Sequence, residues 1–370
     1  MNKIKRILSL FLVLVMLMGV FTGCGVLKGD VAISYGDYKI TEVMYQYWLS
    51  KYKTTFLYIY NNSVDTESFW TSEIEKGYTY EDFIMDYING YAKQVVVAMQ
   101  LFDDYGMSFT SEQKKAVKDR IDNLIESYGG KNVLNETLGE MGLNIQTLEK
   151  IYYEEAKLET VNEYFFGSNG ILAVTDNDRE SYYNNNYYCA VWIYIYTEVK
   201  LMTDGNGNYF TDENGIYKFE ELTELEKEEK RLKVSELEKH LAAGKDFVEL
   251  RSEYSEEGLD YYTVYPDGII LSANDYENYG VDMVETVQKL KEGNYASFNN
   301  GYATVFVKRL PLKNYAKLTD AERKLMVDFE AYVELAKSEE FFNSYEVTFI
   351  DEVMNRYDIK TIKGTKNTSI

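Results

Sequence analysis

The sequence has 370 residues and is strongly acidic, with 61 Asp and Glu residues against 39 Lys and Arg and a formal net charge of −22. This charge disfavours nucleic acid as a partner, because the phosphate groups would be repelled. The chain has one histidine, His240, and two cysteines, Cys24 and Cys189. Multi-histidine and multi-cysteine metal sites are therefore excluded, and we expect no metal and no cofactor.

The amino terminus predicts an export signal. Basic residues precede an apolar run over 7–20, which is too short to span a bilayer comfortably. Cys24 follows Gly23 after this run and resembles the lipobox of bacterial lipoproteins, although Phe21 stands where Leu is usual. We therefore expect a signal peptide over 1–23, diacylation of Cys24, and a lipid-anchored location on the outer face of the cell membrane. An ordinary signal peptide or an uncleaved anchor, with a chance cysteine, is the alternative.

Residues 41 to about 166 have a mostly helical pattern, preceded by two very short strands around a Gly36-Asp37 turn. Residues that can cap a helix precede periodic apolar positions and predict helix starts. These starts lie at Thr41, Thr79, Thr110 and Asn144. The stretch 65–78 has weak periodicity and predicts a loop.

The pattern changes after Thr175, which caps a brief helix. The run 189–197 predicts a strand. Its alternation places Cys189, Val191, Ile193 and Ile195 on one face and Ala190, Trp192, Tyr194 and Tyr196 on the other. A charged helix is expected over about 219–243, with a solvated face of mixed sign, followed by helices from Asp246 and over 283–290. A strand over 302–310 completes a compact α/β unit, and a last helical segment runs, with breaks, over 319–357.

This arrangement resembles the PrsA/SurA family of extracytoplasmic foldases. The matching stretches are Val31-Ala-Ile-Ser-Tyr-Gly36, Val174-Thr-Asp, Ala243-Gly-Lys-Asp-Phe-Val-Glu-Leu-Arg-Ser-Glu-Tyr-Ser255 and Leu290-Lys-Glu-Gly293. The resemblance implies an α+β fold with a helical chaperone domain over 24–180 and an inserted parvulin-like prolyl isomerase domain over 181–312. It also implies a carboxy-terminal helical segment, 313–370, that packs on the first domain.

The active-site positions depart from the family. Parvulins usually carry two histidines, and the matching positions here are Trp192 and Ala303, so no catalytic residue is assigned and enzyme activity is left undecided. His240 does not replace them, because it lies on the helix between them, solvated or half-buried. The resemblance implies a candidate peptide-binding groove formed by Trp192, Glu257, Tyr279, Met283, Phe298, Asn300 and Ala303. The usual glycine-rich loop of the family is not recognisable in 260–268.

The segment from Asp204 to Gly215 alternates oxygen-bearing side chains in the manner of a calcium loop. However, Tyr209 stands where such a loop needs glycine, and Gly215 where it needs a bidentate Glu. A hairpin turn is the favoured interpretation.

The sequence therefore predicts a membrane-anchored folding factor that binds unfolded or partly folded secreted proteins, with a parvulin-like domain that is weak or inactive as an isomerase. The first alternative is an active peptidyl-prolyl isomerase with a non-standard pocket. The second is a surface adhesion or assembly lipoprotein.

Overall fold

A computed structural model describes residues 29–60, 65–203, 209–212, 217–256, 265, 267–273 and 275–365. The chain divides into two compact units. The helical unit comprises the chain up to Ala173 together with the part from Ser338 onward, and the sheet unit comprises Val174–Lys337. The expected signal peptide and Cys24 lie outside the described residues.

The elements of both units follow in chain order. They are β1 (Val31–Tyr35), β2 (Tyr38–Thr41), α1 (Glu42–Ile59), α2 (Glu67–Thr71), β3 (Glu73–Glu75), β4 (Tyr78–Thr79), α3 (Tyr80–Asp104), α4 (Ser111–Ser127), α5 (Lys131–Gly139), α6 (Ile145–Phe166), α7 (Asp176–Asn186), β5 (Tyr187–Tyr196), β6 (Val199–Leu201), β7 (Phe219–Glu221), α8 (Glu224–Ala242), α9 (Phe247–Tyr254), β8 (Ile269–Ser272), α10 (Tyr276–Tyr279), α11 (Val281–Lys289), β9 (Tyr295–Asn299), β10 (Ala303–Leu310), α12 (Asp320–Leu325), α13 (Phe329–Asn343), β11 (Thr348–Phe349) and α14 (Asp351–Met354). This mixture of helix and sheet confirms the predicted α+β fold class.

The unit boundaries fall at 173/174 and 337/338, whereas the family resemblance implies domain boundaries at 180/181 and 312/313. The first part of α7 and the segment 313–337 therefore group with the sheet unit. The assignment of the two units to a chaperone-type domain and a parvulin-type domain stays a prediction.

The helix starts in the helical unit follow their capping residues. Thr79 and Thr110 each accept a hydrogen bond from the backbone N–H three residues later, at 3.2 Å, and complete capping boxes at α3 and α4. Asn144 accepts from the backbone N–H of Thr147 at 2.9 Å and caps α6. Thr41 stands at the N-cap of α1, but its hydroxyl makes no capping bond. The expected start at Thr41 is therefore confirmed without the expected cap.

The loop predicted over 65–78 is wrong. The segment forms the short helix α2 and the hairpin β3–β4. Trp70 is fully buried and donates its indole N–H to the Asp65 carboxylate at 2.8 Å. The segment 65–78 is therefore held in place by burial of the Trp70 ring against residues distant in sequence, although its own sequence has little periodicity.

A buried lysine joins α1 to the carboxy-terminal part of the helical unit. The side chain of Lys53 is 1% exposed, and its ammonium lies 2.7 Å from a carboxylate oxygen of Asp65. The ammonium also donates to the carbonyl oxygens of Ile362 at 2.8 Å and Lys360 at 3.3 Å. A charge removed from water needs such partners, so these bonds fix the segment around 360 against α1.

The sheet unit is built on a four-stranded antiparallel sheet in the order β8–β5–β10–β9. The central strand β5 confirms the predicted alternation. Val191, Ile193 and Ile195 pack with α8 and α9, whereas Ala190 and Trp192 pack on the opposite face, next to α11. The sheet thus separates two apolar clusters.

The charged helix begins later than predicted. Residues 219–221 form β7, which pairs with β6, and α8 starts at Glu224 after a capping box between Thr223 and Glu226. Most of the calcium-like stretch, 204–208 and 213–215, lies outside the described residues. The whole of 257–264 also lies outside them, including the predicted groove residue Glu257.

Among the described residues, none of the helices has the length and apolarity needed to cross a membrane. Within the same ranges, no three or more His, Cys, Asp or Glu side chains are grouped so that they could hold a metal ion.

Candidate functional site

The sheet unit brings most of the predicted groove residues into one apolar cluster. Trp192 on β5, Met283 on α11 and Ala303 on β10 are core members, and Tyr279 and Phe298 pack against them. The rings of Trp192 and Tyr279 meet edge to face, with their centroids 5.8 Å apart. These five side chains therefore lie together, and their role as a peptide-binding groove stays a prediction.

Burial changes what this cluster can offer a ligand. Trp192 is 4% exposed, Met283 is 5% exposed, and Ala303 is fully buried. Tyr279 and Phe298 are half-buried. A peptide at this face would therefore meet the exposed parts of Tyr279 and Phe298, and not a groove with the Trp192 indole as its floor.

Asn300 has a structural task in the turn between β9 and β10. Its side-chain oxygen accepts the backbone N–H groups of Tyr302 at 3.1 Å and Ala303 at 2.9 Å, and its amide donates to the Tyr194 hydroxyl. Gly301 follows with φ +87°, a conformation that a side chain would strain. The polar atoms of Asn300 are thus used in holding the turn.

The sheet unit also contains a cysteine, Cys189, and a histidine, His240, and neither belongs to the apolar cluster around Trp192. The Cys189 thiol is buried and donates to the carbonyl of Asp267 at 3.5 Å, and burial raises its pKa to about 11. His240 lies half-buried on α8, on the opposite side of the sheet from Trp192, with its Nδ1 3.2 Å from the Tyr254 hydroxyl. The prediction that His240 is a helix residue outside the cluster is confirmed.

Glu256 is a residue that the sequence analysis missed. Its carboxylate accepts from the ammonium groups of Lys230 and Lys233, each at 2.6 Å, and from the backbone N–H of Tyr196 at 3.1 Å. It therefore ties α8 to the end of β5. Nothing distinguishes it in the sequence from its neighbour Glu257, which lies outside the described residues.

The helical unit carries an aromatic surface that we call the aromatic ridge. It consists of Tyr52, Phe56, Tyr60, Phe69, Tyr80, Phe83, Tyr87 and Tyr91. Tyr52, Phe56 and Tyr60 form one row at four-residue spacing along α1, and Phe83, Tyr87 and Tyr91 form the facing row along α3. Phe69 on α2 and Tyr80 at the start of α3 pack against Tyr60. A signal for the ridge was present in the sequence as these i, i+4 aromatic steps, but they are also typical of a core.

The ridge is well packed and yet open. Tyr87 lies edge-on to Tyr52 at 5.1 Å and to Phe56 at 5.7 Å, and Tyr60 lies edge-on to Tyr80 at 5.0 Å. Tyr60 is 41% exposed and Tyr87 is 47% exposed. The rings therefore hold one another in place while presenting their outer faces to solvent.

Next to the ridge, charges are neutralised below the surface. The buried carboxylate of Glu155 accepts from the indole N–H of Trp48 at 3.0 Å, from Arg120 at 2.9 Å and from Lys51 at 3.4 Å. Burial raises the pKa of Tyr91 far above its usual range and lowers the pKa of Lys51. The phenol of Tyr91 therefore stays protonated, and it adds no negative charge to this end of the ridge.

No family model and no curated protein matches the chain. Among solved structures, the chain is similar to PrsA from Bacillus subtilis, with 16% identity, 81% of this chain and 92% of that chain covered, and a TM-score of 0.23. It is also similar to the foldase protein PrsA from Streptococcus pneumoniae, with 14% identity, 80% and 95% coverage and a TM-score of 0.24. The peptidylprolyl isomerase PrsA from Bacillus cereus gives 16% identity, 81% and 94% coverage and a TM-score of 0.27.

Proposed function

We propose that this chain is a lipid-anchored, extracytoplasmic folding factor that binds unfolded secreted polypeptides through its helical unit. The observation that carries the proposal is the aromatic ridge with its exposed members Tyr60 and Tyr87. Contiguous exposed apolar surface of this kind marks interaction sites.

The chemistry of the ridge suits clients of varied sequence. Tyrosine and phenylalanine supply large contact areas while losing little rotamer freedom on binding. The edge-to-face packing of Phe56, Tyr52 and Tyr87 orders the rings before a client arrives, which lowers the entropic cost of binding. Apolar contact without a fixed set of polar partners discriminates weakly between clients, and this is what a general folding factor requires.

The sheet unit, in this proposal, is weak or inactive as a prolyl isomerase. Rotation about the peptide bond meets a barrier of about 18–20 kcal/mol, so a catalyst must hold the twisted bond in a formed pocket. The side chains available for such a pocket, Trp192, Met283 and Ala303, are packed into the core. The side-chain oxygen of Asn300 already accepts two backbone hydrogen bonds in the turn between β9 and β10. These observations favour the inactive form over an active isomerase with a non-standard pocket.

The lipid anchor on Cys24 belongs to the same proposal. A tether at the membrane face where exported chains emerge would keep the ridge at high effective concentration near them. Mass spectrometry of the amino-terminal peptide tests this directly. A mature protein without diacylglyceryl on Cys24 would refute lipid anchoring at this residue.

Suppression of client aggregation tests the ridge. The purified protein is mixed with a chemically denatured enzyme during dilution from denaturant, and light scattering is recorded. We expect suppression by the parent protein and its loss in the double variant Tyr60→Ser/Tyr87→Ser. The matched control is Tyr105→Ser/Tyr164→Ser, because these tyrosines of the same unit are 50% and 43% exposed but lie outside the ridge. Equal suppression by both variants would refute the ridge as the client site, and no suppression by the parent would favour the adhesion or assembly alternative.

A protease-free proline isomerisation assay on the same protein separates the proposal from the first alternative. We expect a rate close to that of the uncatalysed reaction. A robust acceleration that is lost in Met283→Ala, with the fold intact by circular dichroism, would establish the active isomerase instead.

A further inference from the structure

A second surface of the helical unit differs from the ridge in charge. A groove of about 780 Å³ lies between α4, α5 and the start of α6 and shares no residue with the ridge. Its lining residues are Lys114, Lys115, Lys118, Ile121, Asp122, Ile125, Lys131, Asn135, Asn144, Ile145, Gln146, Glu149 and Tyr153. Four lysines therefore face two carboxylates, so that the groove is locally positive on a chain whose net charge is −22.

The lysines are not all neutralised by the protein itself. Lys115 pairs with Asp119, and Lys118 pairs with Asp122, one turn further along α4 in each case. Lys114 and Lys131 are exposed and make no ion pair with any residue in the part of the chain that the structure describes. Two cationic side chains at the two sides of the groove are thus available to a ligand.

The floor between these lysines is apolar. Ile121 is buried, whereas Ile125, Ile145 and Tyr153 are half-buried beside it. A ligand that matches both features carries negative charge at its edges and apolar groups toward the floor. A uniformly charged phosphate polymer fits less well, because it would bring anionic groups to the apolar floor and past Asp122 and Glu149.

We propose that this groove binds acidic polypeptide segments in which carboxylate side chains alternate with apolar ones. The lysines of the groove attract such segments, whereas the negative net charge of the rest of the protein repels them. The inference does not rest on the ridge or on the proposed folding function, since it concerns different residues and a directly measurable ligand.

Fluorescence anisotropy with a labelled peptide tests the proposal. The probe is a fluorescein-labelled peptide of repeating Asp-Leu-Gly, and the neutral comparison peptide has Asn in place of Asp. We expect binding of the acidic peptide that weakens as salt is added, and much weaker binding of the neutral one. The double variant Lys114→Glu/Lys131→Glu should raise the Kd of the acidic peptide by about tenfold or more, because two attractions become repulsions.

The matched control is Lys39→Glu/Lys76→Glu. Both lysines are exposed, belong to the helical unit, lie outside the groove and change the net charge by the same amount. We expect this control to change the Kd by less than about twofold, since exposed charges at a distance are screened. The milder pair Lys114→Gln/Lys131→Gln should fall between the two, and circular dichroism checks that each variant is folded.

Three outcomes would overturn the proposal. They are equal binding of the acidic and neutral peptides, equal weakening by the groove variant and its matched control, and tighter groove-dependent binding of inorganic polyphosphate than of the peptide. Failure of polyphosphate to displace the peptide would support the assignment to a polypeptide.

Discussion

Replacing Lys53 by methionine should destabilise the helical unit by about 2 kcal/mol. Methionine keeps an unbranched stem of similar length but removes the ammonium that contacts Asp65, Lys360 and Ile362. Three such contacts contribute roughly 1 kcal/mol each in net terms, and the carbonyl oxygens of residues 360 and 362 lose a donor. Part of this loss is offset, because the variant no longer has to keep a charge out of water.

Urea and thermal unfolding followed by circular dichroism measure this effect. For a unit of this size, a loss of about 2 kcal/mol corresponds to a fall in Tm of about 4–8 °C. The exposed Lys39 provides the control, and Lys39→Met should stay within about 0.5 kcal/mol of the parent protein. The segment around 360 should also become the first site of proteolysis in Lys53→Met. A variant as stable as the parent, or more stable, would refute the reasoning that this buried charge holds the carboxy-terminal segment.

Three further predictions concern the sheet unit. Although burial raises the pKa of Asp178, its hydrogen bonds with Lys337 and Thr175 lower it to about 2, from an ordinary value of 3.8. The stabilisation is therefore present above about pH 4 and is lost as the pH falls toward about 2, so Asp178→Asn should flatten the acid limb of stability measured by urea titration. Burial raises the pKa of the Cys189 thiol to about 11. In a variant without Cys24, labelling of Cys189 by a thiol reagent near pH 8 should therefore be more than about a hundredfold slower in the native protein than in urea. Comparable labelling rates would contradict this prediction. Trp192→Ala should cost about 3–5 kcal/mol in denaturant unfolding because the ring is packed into the apolar cluster, and a loss below about 1 kcal/mol would mean that the ring is not part of the core.

Much of the secondary structure could be predicted where capping residues and periodicity agree. The capping pairs at Thr79 and Thr110 are local in sequence, so the helix starts could be predicted without knowledge of the rest of the chain. Thr223 and Glu226 form the same kind of local capping pair at the start of α8, whereas the charged pattern extends back to 219 and predicts a longer helix. The segment around Trp70 could not be predicted, because its order comes from burial against distant residues.

The candidate sites show a similar division. Alternation along β5 predicts which side chains share a face, and the resemblance to a family brings Trp192 together with Met283. How deeply Trp192 and Met283 are buried depends on which other elements pack over them. The pattern of a single strand or helix does not contain that information. The same limit applies to Tyr87, whose four-residue spacing from Phe83 and Tyr91 is typical of a core helix, although Tyr87 is 47% exposed. The basic groove was missed because Lys131 and the lysines of α4 are neighbours only after α4 and α5 have formed.

Site-specific photo-crosslinking tests the central claim most directly. A photoreactive phenylalanine is placed at Tyr87 on the ridge and, in a separate protein, at the similarly exposed Tyr105, and each is illuminated in the presence of an unfolded client. We expect strong crosslinking to the client from position 87, weak crosslinking from position 105, and loss of the signal when the client is folded. Equal crosslinking from both positions, or none from position 87, would contradict client binding at the aromatic ridge.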